Sequence, residues 1–218
     1  YIFGGWKTQR ESTVILDLEL FGGYYWTTPF EGSYFHYEGS GNAEFKVVDF
    51  GANNTSCSLG YKYSDVENYA GIGVNISNDK IIDFEGSTGF SFYHMGSPVT
   101  VKVGTKCITD DSYHSIYVDS HDKFTKVTVK WEDLKGPGWG MGDEIDFMEE
   151  ELYKEVTKFL FEVVSESGVF RIDEITIDGI DLLPKQPVSL NNITTDLIAI
   201  ADYRPIGSTV SHTVTYAD

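Results

Sequence analysis

Basic residues are scarce in this sequence. Sixteen Lys and Arg stand against 34 Asp and Glu, a formal net charge of −18. So acidic a surface repels phosphate backbones and anionic lipid, so neither nucleic acid nor a membrane is expected as a partner. A neutral ligand or a divalent cation fits the charge. Long apolar runs are missing too: no stretch approaches the ~18 residues of a membrane-spanning helix. Cysteine is limited to Cys57 and Cys107, too few for a disulfide scaffold, and a pair or two thiols both remain open. The five histidines, His36, His94, His114, His121 and His212, show no metal-ligand spacing. Neither an initiator Met nor a signal-peptide pattern opens the chain, which reads as mature or cut from something longer.

Aromatics are plentiful: 14 Tyr and 14 Phe in 218 residues. They suit strands, where aromatic and β-branched side chains pack well. Short strand-like stretches separated by Gly, Asn, Asp and Ser recur at 13–20, 43–50, 57–63, 69–76, 88–95, 98–103, 113–118, 124–131, 157–164 and 169–178. This pattern predicts an all-β fold, an antiparallel sandwich or barrel, over residues 1–183. Asp143–Tyr153 reads as a short amphipathic helix or a turn-rich loop. Beyond Pro184 the composition shifts, and 184–218 reads as a C-terminal extension or linker.

One strand breaks its own pattern. In "VFRIDEITIDGIDLLP" (169–184), Phe170 and Ile172 share one phase, whereas Ile175 and Ile177 share the other. Side chains alternate with period 2, so a continuous strand cannot bury both pairs on one face. The slip falls at Asp173-Glu174 and predicts a β-bulge that re-aims carboxylates. A second acidic strand, "ILDLEL" (15–20), offers Asp17 and Glu19 in one phase. Were the first and last strands neighbours, Asp17, Glu19 and Asp173 could converge as hard oxygen ligands for calcium. The alternative is acids solvated on an outer face.

"FTKVTVKWEDL" (124–134), the "PGWG" loop (137–140), "VTKFLFEVV" (156–164) and "GVFRIDEITIDGI" (168–180) resemble, in order, the C-terminal half of carbohydrate-binding modules of the family 11 kind. "LDLE" (16–19) is similar to that family's opening strand, with Leu18 replacing an aromatic; "YYWTTP" (24–29), "SCSLGYKY" (56–63) and "YAG" (69–71) follow in order. The resemblance spans about residues 13–183. It implies a jelly-roll sandwich that binds β-glucan (β-1,4 or mixed-linked β-1,3-1,4) without catalysis and holds structural calcium. It also implies a secreted, monomeric module covalently linked to a glycoside hydrolase. Asp17, Glu19 and Asp173 become the calcium ligands it implies. The sugar contacts it implies are Tyr25 or Trp26, Tyr69, Asp110 and Trp139, where Trp139 replaces a family tyrosine. Val163 stands where the family has another tyrosine, so the ligand is open on this point.

The residue chemistry agrees with a sugar site. Aromatic rings pack on the C–H face of a pyranose, and carboxylates or amides accept from its hydroxyl rim. Tyr24, Tyr25, Trp26, Tyr69, Tyr93, His94, Tyr113, Tyr117 and Trp139 form the pool for such a site. Trp131, alternating with Val127 and Val129, reads as core, while Trp139 sits between two glycines in a loop. Tyr93 and His94 point to opposite faces, and with Phe90 and Phe92 in phase with His94, Tyr93 is the expected ligand contact. Two other readings stay open. "GDEIDFMEE" (142–150) resembles the signature of family 16 glycoside hydrolases, which would make Glu144, Asp146 and Glu149 a retaining catalytic set on a bulged strand. A non-sugar adhesion or assembly sandwich is the third.

Overall fold

The computed structural model describes residues 12–18, 28–78 and 80–180. The C-terminal extension expected at 184–218 lies outside these residues. Two antiparallel sheets face each other as a β-sandwich of jelly-roll type. The first contains β3 (Asn42–Asp49), β4 (Cys57–Ser64), β11 (Gly168–Asp178), β6 (Gly89–Gly96) and β9 (His121–Lys130) in that order, with β1 (Ser12–Leu16) also paired to β11. The second runs β2 (Ser33–Glu38), β5 (Ala70–Asn75), β10 (Val156–Val163), β7 (Val99–Thr105) and β8 (His114–Val118).

Aromatics fill the space between the sheets. From the first sheet, Phe90 meets Phe159 of the second at 4.8 Å between ring centroids, and Phe92 meets Phe161 at 5.1 Å. Each such ring, fully withdrawn from water, contributes roughly 1.5–3 kcal/mol. Trp131 closes one end of this core as expected, its indole N–H donating to Ser87 Oγ at 2.8 Å. Cys57 begins β4 of the first sheet, and Cys107 lies in the loop after β7 of the second.

The phase slip in the last strand is a bulge. The pairing of β11 with β6 shifts register between Asp173 and Thr176, and Glu174 takes a left-handed φ of 47°. Along its other edge, β11 pairs with β4 through Gly168–Ile172 and with β1 from Ile175 onward. The bulge therefore lies where β11 exchanges one partner strand for another, and it returns Ile175 and Ile177 to the core beside Phe170 and Ile172. First and last strands are neighbours, as expected. A second bulge, between Val14 and Leu16, buries Ile15 along with Leu16 and Leu18.

One segment differs from expectation, and another takes the second of the two readings given for it. The edge strand β2 has no counterpart among the strands read from sequence. Asp143–Tyr153 is turn-rich: α1 (Met141–Glu144) is one short turn of helix, followed by turns and a 3-10 turn at Leu152–Glu155.

Candidate functional site

Register assigns the outward side chains of the second sheet row by row. One row crosses the strands as Tyr37, Gly71, Glu162, Thr100 and Tyr117. The next reads Phe35, Gly73, Leu160, Lys102 and Ser115, and a third begins Ser33, Asn75, Lys158 and Gly104. Residues between them, such as Ile72, Val74, Phe159, Phe161, Val101 and Val103, are wholly buried in the core. Beyond β8 the face is widened by Lys135, which pairs with Ser115 through two backbone hydrogen bonds of 2.9 and 3.0 Å.

The glycines of β5 let rings lie across the sheet. A Cβ on Gly73 would collide with the Phe35 ring, and one on Gly71 with the Tyr37 hydroxyl. Phe35 and Tyr37 thus fold over the strand beside them, 6.3 Å apart, and Tyr69 stands 6.3 Å beyond Tyr37. Tyr69 and Tyr117 are half exposed, at 51% and 56%, and they stand at opposite edges of the face. In the centre, Lys102 Nζ lies 2.6 Å from Glu162 Oε1, both largely covered. The Tyr37 hydroxyl is buried and makes no hydrogen bond among the described residues. Burial first, and then the Glu162 charge, push this phenol far above its ordinary range. Chemically, the face offers apolar ring surfaces around one carboxylate and one ammonium, with the Tyr37 hydroxyl buried beneath.

The residues expected from sequence are distributed as follows. Tyr69 lies on this face. Asp110 and Trp139 come together at the diagonally opposite corner, in the loop after β7 and the loop before α1. Asp110 Oδ2 accepts the Met141 N–H at 2.9 Å, and Asp110 Oδ1 accepts the Ser112 hydroxyl. Those bonds, the Ser112 hydroxyl foremost, hold Asp110 below the usual carboxylate range. Asp110 thereby anchors the loop on which Trp139 stands 55% exposed. Tyr93 is separated from this group: it pairs with Asp173 and Lys126 on the outer face of the first sheet. The cause is phase, since burying Phe90, Phe92 and His94 turns Tyr93 outward on the sheet that carries β6. Tyr25 and Trp26 lie outside the described residues. The reading missed Phe35, Tyr37 and the Lys102–Glu162 pair, whose one available signal was "SYFHYE" (33–38), an aromatic run flanked by Gly and Ser.

The segment 142–150 does not form the strand that a family 16-like catalytic set requires. Glu144 ends α1, and Asp146 Oδ1 accepts the N–H groups of Met148 and Glu149 at 2.8 and 2.9 Å. The acids thus belong to a local turn.

At the bulge, Asp173 is fully buried. Its Oδ2 accepts the Ala52 N–H at 2.8 Å and the Thr55 hydroxyl at 3.2 Å, and its Oδ1 accepts the Glu174 N–H at 2.9 Å. The Asn53 amide donates to both Glu174 oxygens, at 3.4 and 3.1 Å. These acids tie down the β3–β4 loop, where Phe50, Asn53 and Asn54 have positive φ. Asp17 follows β1, whose Leu16 pairs with Ile175, so the register carries it toward Glu174. Glu19 lies outside the described residues. Among the described residues, no group of three or more His, Cys, Asp or Glu side chains is placed to hold a metal.

No protein-family model matches the sequence, and no curated protein matches it. Solved structures do match. The family 11 carbohydrate-binding module of the cellulosomal cellulase Lic26A-Cel5E of Clostridium thermocellum superposes with a TM-score of 0.56 at 15% identity, over 78% of this chain and 95% of that one. A family 11 module from Clostridium thermocellum in complex with a β-1,3-1,4-mixed-linked tetrasaccharide gives 0.56 at 14% identity, over 77% and 95%. The family 30 module of the Clostridium thermocellum cellulosomal cellulase Cel9D-Cel44B gives 0.53 at 12% identity, over 77% and 97%. The chain therefore has the fold that these modules share.

Proposed function

We propose that this chain is a non-catalytic carbohydrate-binding module. Its ligand is a β-1,4 or mixed-linked β-1,3-1,4 glucan chain laid across the outer face of the second sheet. The observation that carries this reading is that face itself: Phe35, Tyr37, Tyr69 and Tyr117 around the Lys102–Glu162 pair. Ring surfaces take the C–H faces of the sugars, and Glu162 and Lys102 exchange hydrogen bonds with the rim. The shared fold supports it, including a similar module whose structure contains a mixed-linked tetrasaccharide. In this reading the module is secreted, monomeric and joined to a glycoside hydrolase, whose local concentration on polysaccharide it raises.

Calcium at the bulge belongs to the same proposal. Two adjacent buried carboxylates, with Asp17 carried toward them by register, suit a hard cation in donor type, although the described side chains do not by themselves surround one. Asp17, Glu19 and Asp173 would hold the ion, which would supply a cross-link between the first and last strands.

Affinity electrophoresis through gels containing barley β-glucan, hydroxyethylcellulose or xylan tests the reading, with the same lanes assayed for reducing sugar. Retardation by a glucan without sugar release is the expected result. Sugar release abolished by Glu144→Gln would replace the binding module with a hydrolase. Neither effect would leave the non-sugar assembly domain.

A further inference from the structure

The third row of the outer face runs into a depression of about 450 Å³ beside Asn75 and Lys158. Lys80, Lys106, Asn78 and Thr157 complete its wall. Three lysines therefore meet in one place on a chain with 16 basic residues and a net charge of −18. No described acidic side chain lines the depression. Lys46 is paired with Glu44, Lys102 with Glu162, Lys130 with Glu132, and Lys154 with Glu85 and Glu151, while Lys62, Lys123, Lys126 and Lys135 stand on the described surface without an ion pair and outside this depression. Lys80 meets only Glu31, at 3.9 Å and exposed. Neither Lys106 nor Lys158 has an ion pair among the described residues. Lys158 is also held in place. Its stem lies over Gly104, where a Cβ would collide with it, and its ammonium sits 5.0 Å from the centre of the Tyr113 ring. A cation over a ring keeps its charge and loses little mobility when an anion arrives.

Resting on the carbohydrate-binding reading, we propose that this depression is an anion subsite. It receives a carboxylate or sulfate substituent carried by the polysaccharide chain on the adjoining face. A neutral hydroxyl gains little from three ammonium groups, whereas a fixed anion gains from each. A local reversal of sign is also what an acidic protein needs to bind an acidic chain.

The test is calorimetric titration of the whole chain with one β-1,4-glucan oligosaccharide in three forms: unsubstituted, carboxymethylated and sulfated. Each is run at low and high salt, on the native protein and on the Lys106→Gln/Lys158→Gln variant. At low salt the native protein should bind an anionic form about tenfold or more tighter than the neutral one, with the gain shrinking as salt screens the charges. The better anionic form identifies the substituent. The double variant should lose that preference, and Lys106→Gln alone, altering an exposed loop side chain outside the strand rows of the face, should weaken it while keeping the affinity for the neutral chain and the melting temperature. Equal affinity for the three forms, or a preference that survives the substitutions, overturns the subsite and leaves the binding module standing. Binding of none of the three sinks both.

Discussion

Lys102 and Glu162 face each other at 2.6 Å on neighbouring strands, in the middle of a sheet face edged with aromatic rings. The pair is mostly covered yet reaches the surface, and Tyr37 lies alongside. Its stabilising contribution is small, because a partly solvated pair gains little net free energy. In the proposed site it would hold a carboxylate in a fixed direction for an incoming hydroxyl. Glu162→Gln should weaken glucan binding tenfold or more, the loss expected when a hydrogen bond to a charged group worth roughly 1.5–3 kcal/mol is removed. Titration calorimetry reads the loss. Unchanged affinity would remove Glu162 from the site.

Tyr69 and Trp139 are half exposed at opposite corners, so neither contributes much to the core. Tyr69→Ala and Trp139→Ala should each weaken glucan binding several-fold, by about 0.5–1.5 kcal/mol of lost ring stacking. Melting temperatures should stay within a degree or two of the native protein. If only Tyr69→Ala matters, the chain runs along the β2 edge of the face. If only Trp139→Ala matters, it runs along β8.

What could be read from sequence followed the physics of burial. Ten strands announced themselves by apolar alternation, and the slip at Asp173-Glu174 announced a bulge because a core strand must bury Phe170, Ile172, Ile175 and Ile177 together. The strand that escaped, β2, carries two of the four rings of the candidate site. In "SYFHYE" Tyr34 goes to the core while Phe35 and Tyr37 go outward, so aromatic residues occupy both faces and no apolar–polar alternation survives. A binding face removes the very contrast by which strands are recognised. Tyr93 fails for a related reason: phase separates the two sides of one strand but does not say which sheet the strand joins.

The bulge acids give a paired prediction. Asp173→Asn weakens the acceptor for Ala52 and Thr55 in a fully buried position and should cost roughly 1–3 kcal/mol by denaturant unfolding. If calcium binds there, a chelator should also lower the native melting temperature, because an ion bound only by the folded state stabilises it. The Asp173→Asn variant should then be nearly insensitive to the chelator. A native melt that ignores both chelator and added calcium would assign these carboxylates solely to anchoring the β3–β4 loop.

His94 makes stability depend on pH. The ring is fully buried, with Nδ1 2.9 Å from Nδ1 of His121 and Nε2 3.0 Å from the Ser97 carbonyl, to which it donates. Burial first, and the neighbouring His121 second, lower its pKa from 6.5 to about 4. The folded state therefore holds His94 neutral while the unfolded chain protonates it. Stability is fully present above about pH 6.5 and falls as the pH drops toward 4, by at most about 3 kcal/mol from this group. Protonation also turns His94 Nδ1 into a donor, so the Nδ1–Nδ1 hydrogen bond is kept only with the His121 tautomer that accepts at Nδ1. Melting temperatures measured from pH 7.5 to 4 should decline across this window. His94→Leu, whatever its baseline, should flatten that part of the curve. An equally steep decline in the variant would assign the acid sensitivity to other groups.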